Sequence, residues 1–145
     1  MTAKKDTLGL VAGAFRQHDH AKCISLLMNA ARDLCTERGL RLTPVREKVL
    51  KLLLKSHAPL GAYDILSELA ASGFRAQPPV AYRALDFLVD NGFAHRIEKI
   101  NAFVACSQPR DKHSPIFMIC NDCHQVAETS VRAPSSSLDR TARAI

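Results

Sequence analysis

The hydrophobic period of this 145-residue chain changes at Gly92, which points to a run of helices followed by a hairpin. Upstream of it, apolar side chains recur every three to four positions, the spacing of amphipathic helices. Cys23, Leu26, Leu27, Ala30, Ala31, Leu34 and Cys35 mark a first helix over 21–38 that Gly39 stops, with both cysteines read as core-facing. Thr43 suits the N-cap of a second helix, and Pro44 its first position, where the missing N–H of proline costs nothing. Val45, Val49, Leu50, Leu52 and Leu53 form its inner face before Pro59 and Gly61 interrupt. A third helix over 62–72 turns Ile65, Leu66 and Leu69 inward and stops at Gly73. A fourth opens at Pro78-Pro79 and runs to Asn91, burying Ala81, Leu85, Leu88 and Val89. After Gly92, residues 93–98 and 103–106, joined by a turn over 99–102, read as a β-hairpin. Helices followed by such a hairpin describe a winged helix-turn-helix, with the fourth helix as recognition helix and the hairpin as wing.

That architecture gives several polar residues a nucleic-acid role. The fourth helix starts at residues 77–83, where free N–H groups and the positive dipole end suit a phosphate. Arg83 lies one turn in, within reach of a purine edge. Tyr63 and Tyr82 can donate hydrogen bonds to phosphates, as can Arg41 and Arg46 with added charge. Read singly, Arg41, Arg46 and Lys48 are solvated helix-end charges, and the tyrosines are core edges with a wet hydroxyl. The net charge of +6 favours a polyanionic partner, and residues 1–105 hold most of it, with 15 Lys/Arg against 10 Asp/Glu.

The last third is rich in donor groups for metals. His95, Cys106, His113, Cys120, Cys123, His124 and Glu128 fall within one short stretch. Cys120 and Cys123 form a CxxC after the apolar run 115–119, a knuckle whose two thiolates can bite one Zn²⁺. Residues 126–129 beyond it read as a strand. A redox CxxC normally opens a helix, so a thiol oxidoreductase is the minor alternative and no enzyme activity is expected. Taken alone, His95 is a surface or core histidine, His113 is exposed, Glu128 is a solvated charge and Cys106 is a small buried hydrophobe. Five cysteines without a secretory h-region argue against a disulfide framework. With no apolar run near the roughly 20 residues that cross a bilayer, the expected location is cytoplasmic. Residues 1–20 are expected to be a mobile extension with a short helix over 8–15, and Ser135-Ser136-Ser137 a linker or helix start. His18, His20 and Cys23 receive no assigned role. Metal chemistry joined to DNA binding suggests a metal-sensing repressor.

Residues 41–46 (Arg-Leu-Thr-Pro-Val-Arg), residues 78–85 (Pro-Pro-Val-Ala-Tyr-Arg-Ala-Leu) and the CxxC together resemble the Fur family of metal-dependent repressors. The resemblance spans about residues 21–130. Segments 61–64, 83–88 and 101–103 are most similar to the zinc-uptake branch, and the His-rich run of iron sensors is absent before the CxxC. The resemblance implies an α+β fold, with a winged-helix DNA-binding domain over 21–106, a hinge over 107–114, and a small, incomplete α/β dimerisation domain with a zinc knuckle over 115–145. It implies a regulatory Zn²⁺ on His95, Cys106, His113 and Glu128, with His95 and Cys106 on the two wing strands. It also implies a structural Zn²⁺ on Cys120 and Cys123 plus a second CxxC. That second pair does not occur before Ile145, so either a C-terminally shortened form or a different set of partner ligands is expected. Val80 and Ala81 depart from the family's hydroxyl-bearing residue and Val. The implied function is zinc-responsive repression of zinc-uptake genes by a homodimer on operator DNA, with a sensor of another metal or of peroxide as the alternative.

Overall fold

The computed structural model describes residues 20–55, 58–111 and 113–131. Among them are four helices: α1 (His20–Glu37), α2 (Pro44–Lys55), α3 (Ala62–Ala71) and α4 (Pro78–Asp90). Two antiparallel hairpins follow, β1 (Ala94–Ile97) with β2 (Ala102–Ala105), and β3 (Ser114–Ile119) with β4 (Val126–Val131). The expectations for the helix at 8–15, His18, Ser135–Ser137 and the remainder of the second domain lie outside the described residues, as does the side chain of His20.

Each helix ends where the sequence places a stop. Gly39, Gly73 and Gly92 all have positive φ, the conformation that lets the chain leave a helix without a Cβ clash. At the start of α2, Thr43 Oγ1 accepts from the Arg46 N–H at 3.4 Å, the expected N-cap. The apolar faces meet in one core in which Val49, Ile65, Leu69, Ala81, Leu85 and Leu88 are wholly buried. Several inward assignments need correction, with Cys23, Leu27, Ala30, Leu66 and Val89 only half-buried. Leu26 is 70% exposed, and Met28 takes its place in the core. On α2 the buried set extends to Leu54, while Val45 is only half-buried.

The wing hairpin is shorter than expected and its turn is different. A 3-10 turn over Glu98–Ile100 leads into Asn101 at φ +47, so Glu98 lies outside the strand. Cys106 also lies one residue beyond β2, although its N–H still donates to the Phe93 carbonyl at 2.9 Å. Leu60, in the loop between α2 and α3, exchanges two backbone hydrogen bonds with Phe103, at 2.8 and 3.0 Å, and so docks the wing on the helices.

The second hairpin sits against the wing through a small apolar cluster. Ile97 and Val104 from the wing pack with Val126 of β4, and Phe117 of β3 leans on all three. Register pairs Phe117 with Glu128, so the strand that supplies this contact also carries a carboxylate to the seam.

Candidate metal centre and nucleic-acid interface

Four donor side chains converge at that seam. One donor atom from each of His95, Cys106, His113 and Glu128 lies within 4.8 Å of the other three. His95 comes from β1, Cys106 and His113 bracket the loop between the hairpins, and Glu128 comes from β4. Glu128 Oε1 faces His95 Nε2 at 3.0 Å, Cys106 Sγ at 3.8 Å and His113 Nε2 within hydrogen-bond range. Cys106 Sγ is 3.7 Å from His113 Nε2. The rings of His95 and Phe117 meet edge-on at 5.7 Å, which caps the cluster on its apolar side.

Burial overturns the single-residue reading of two members. Glu128 is only 9% exposed, and the His113 side chain only 6%. Burial alone pushes the Glu128 carboxyl up. Hydrogen bonds from His95 and the Ser107 N–H, the charge of His95 and a bond from His113 outweigh it, holding the carboxyl at about 2. Cys106 goes the other way: burial, followed by the Glu128 charge, pushes its thiol up to about 12. For His113 burial works downward, yet bonds to the Asp111 carbonyl and to Glu128 win and raise it. His113 Nδ1 lies 2.7 Å from that carbonyl, which can only accept, so Nδ1 carries the hydrogen and Nε2 points to the cluster.

The donor set fits a tetrahedral Zn²⁺: one sulfur, two imidazole nitrogens and one carboxylate oxygen. Its outer contacts have the pattern of metal sites, with a carbonyl fixing the tautomer of a histidine and the N–H and hydroxyl of Ser107 holding a carboxylate.

The CxxC lies in the turn between β3 and β4. The Cys120 N–H donates to the Gln125 carbonyl at 2.9 Å, and the His124 N–H donates to the Cys120 carbonyl at 3.0 Å. His124 itself is exposed, at φ +57. N–H groups of Cys123 and Asp122, with the Cys123 thiol, lower the Cys120 thiol. Among the described residues no third donor group joins the pair.

The residues expected to contact nucleic acid lie upstream of this seam in sequence, Tyr63, Tyr82, Arg83 and Arg46 on helices and Arg41 in the loop before α2. Tyr63 is 80% exposed near the start of α3, Tyr82 is 45% exposed on α4, and Arg83 and Arg41 are exposed. Arg46 differs. Its guanidinium sits 3.8 Å over the Phe87 ring, and its Nη1 donates to the Arg41 carbonyl at 2.7 Å. The α4 start also differs from expectation. Pro78 and Pro79 have no N–H, and the Val80 N–H is taken by the Gln77 carbonyl at 2.9 Å. The first turn therefore offers a dipole end but no free backbone donor.

The Ferric uptake regulator family profile matches residues 37–141. The Zinc uptake regulation protein of Escherichia coli (strain K12) is 40% identical over 105 residues, which are 70% of this chain and 60% of that protein. The chain thus spans about 60% of the length of the curated relatives it matches. A solved structure of a zinc uptake regulator complexed with zinc and DNA has a TM-score of 0.73 at 33% identity, over 84% of this chain and 82% of that one. Holo XcZur scores 0.69 at 43% identity, covering 83% of this chain and 84% of its own. Apo XcZur scores 0.57 at 42% identity, covering 85% of each. With identity and coverage nearly equal, the two forms differ from this chain in conformation, and the holo form is nearer. Sequence match, fold and donor cluster together place this chain in the Ferric uptake regulator family.

Proposed function

We propose that the protein is a zinc-responsive transcriptional repressor of zinc-uptake genes, acting in the cytoplasm as a homodimer on operator DNA. The observation that carries the reading is the cluster of His95, Cys106, His113 and Glu128 at the seam between wing and second hairpin. These four would hold the regulatory Zn²⁺, which supplies the divalent charge that lets a thiolate and a carboxylate share one buried pocket. The thiolate favours zinc over iron or manganese. Cys120 and Cys123 are assigned to a structural zinc, and among the described residues no third donor group joins them.

The chain's own residues supply the rest. His95 belongs to the wing and Glu128 to the second hairpin, so holding both at one centre fixes the angle at which the helices are presented. We assign residues 21–106 to the DNA-reading head, 107–114 to the hinge and 115–145 to the dimerisation part. Arg83 reads a base edge, while Tyr63, Tyr82, Arg41 and Arg46 sit where phosphate contacts are needed. Zinc promotes DNA binding only as far as it binds the DNA-competent arrangement better than the open one.

A gel-shift on operator DNA, with zinc and with a chelator, tests this. Tight binding with zinc and weak binding with chelator is expected. Equal affinity in both conditions would remove zinc from the mechanism.

A further inference from the structure

We propose that Ser107 is a positioning residue that makes this centre selective for a four-coordinate metal, by holding Glu128 as a donor of one oxygen. The proposal rests on the zinc reading above and deepens it. A carboxylate can offer a metal one oxygen or both, and six-coordinate, oxygen-preferring ions such as Mn²⁺ gain most from the second. Here the two oxygens of Glu128 have different partners. Oε1 faces the other three donors. Oε2 accepts from the Ser107 N–H at 2.8 Å and from the Ser107 hydroxyl at 3.1 Å. Two donors occupy the two lone-pair directions of that oxygen, so turning Oε2 toward the cluster means breaking both bonds. Water offers little replacement, because Glu128 is 9% exposed.

The neighbouring loop strengthens the assignment. The Gln108 N–H points at Cys106 Sγ, 3.3 Å away, and the Asp111 carbonyl lies 2.7 Å from His113 Nδ1. The loop that begins beside Cys106 and ends at His113 therefore supports three of the four donors. Of these supports only the Ser107 hydroxyl is a side chain, so it alone can be deleted without touching the backbone. Its position next to Cys106 means that whatever fixes the thiolate also fixes the donor that orients Glu128.

The test uses the full chain and its Ser107→Ala and Ser107→Thr variants, titrated with Co²⁺ as a spectroscopic stand-in and then with Zn²⁺ and Mn²⁺ in competition. Wild type should give the intense visible band of tetrahedral cobalt. Ser107→Ala should bind Zn²⁺ about 10- to 100-fold more weakly, the usual cost of losing an outer-shell partner. Its cobalt band should weaken as coordination number rises, and its preference for Zn²⁺ over Mn²⁺ should narrow. Ser107→Thr, which keeps the hydroxyl, should restore all three. A Ser107→Ala protein with wild-type affinity and band intensity would overturn the proposal, and so would a Thr variant as impaired as the Ala one. A wild-type protein that gives no tetrahedral cobalt signal would instead overturn the zinc reading on which the proposal stands.

Discussion

The Nε2 atom of His95, on the wing, lies 3.0 Å from Oε1 of Glu128, on β4, thirty-three residues further along the chain. The contact joins two hairpins that also meet through the rings of His95 and Phe117 and through the apolar cluster of Ile97, Val104, Val126 and Phe117. Polar and apolar contacts thus share one seam, and the polar half is the half a metal can strengthen. Glu128→Ala should leave the helical core intact, because Glu128 lies on the second hairpin, outside the apolar cluster that the helices form. It should weaken zinc binding by at least the roughly 10- to 100-fold that loss of an outer-shell partner costs. The zinc-dependent gain in operator affinity should vanish with it, while affinity under chelator stays at the wild-type level. A variant that keeps the zinc-dependent gain would place the regulatory metal elsewhere.

Arg83 stands exposed on α4, one turn past its proline start. A bidentate contact to guanine contributes roughly 1–3 kcal/mol of discrimination. Arg83→Ala should therefore reduce the preference for operator over scrambled DNA by about that amount, with zinc binding unchanged. Equal losses on both DNAs would make Arg83 a phosphate contact instead.

Arg46 is expected to do structural work as well as carry charge. Its guanidinium lies over Phe87 of α4 while it donates to the carbonyl of Arg41, so it braces α4 against the start of α2. A cation–π contact of this kind contributes about 0.5–2 kcal/mol, depending on desolvation. Arg46→Gln and Phe87→Leu should show a coupling in that range in a double-mutant cycle read by thermal or urea unfolding. Zero coupling in unfolding would leave Arg46 as a DNA contact alone.

The helices were legible because their signals are local: a 3.6-residue apolar period, Thr43-Pro44 at one start, and glycines at Gly39, Gly73 and Gly92. The expectation of free N–H groups at the α4 start fails because Pro78 and Pro79 carry none and the Val80 N–H turns to the Gln77 carbonyl. What local pattern does not carry is tertiary pairing. Nothing in the residues around Leu60 indicates that its backbone pairs with Phe103. Nor does any short spacing rule collect His95, Cys106, His113 and Glu128, whose order in sequence requires two hairpins to fold before they meet. Only the resemblance to a family register brought them together. Read singly, Glu128 and His113 belong in solvent, and the partners that make their burial tolerable are visible only in the fold.

Glu47 on α2 gives a pH-dependent test of helix packing away from the metal seam. A hydrogen bond from Arg32 of α1, together with the charges of Arg32 and Lys51 and against slight burial, holds its carboxyl below the usual range. A depressed folded-state pKa means that the contribution is present above the unfolded value of about 4.3 and is lost as pH falls through the lower folded value. Arg32 and Glu47 are both partly exposed, so the contribution at neutral pH is expected to stay under about 1 kcal/mol. Glu47→Gln should lower the melting temperature slightly at pH 7 and not at pH 2. An equal deficit at both pH values would point to lost packing rather than lost charge.

Arg110 offers the last test, because it occupies the middle of the loop that carries Cys106 and His113. It reaches Glu37 at 3.5 Å and Asp33 at 3.9 Å, both in the last turns of α1. The loop that supplies two donors to the candidate metal centre is thereby tied to α1 by charge. All three side chains are about half exposed or more, so the pairs contribute little to global stability, roughly 0–1 kcal/mol. Their effect is expected in coupling. Arg110→Ala should melt close to wild type yet show a smaller zinc-dependent gain in operator affinity, and Glu37→Arg combined with Arg110→Glu should recover part of it. Because exposed pairs are screened, with a Debye length of about 3 Å at 1 M salt, the gap in zinc affinity between wild type and Arg110→Ala should close as salt rises. Zinc affinity is the better readout at high salt, since operator binding itself weakens there. A gap that persisted at 1 M salt would mean that Arg110 acts through loop packing and not through its charge.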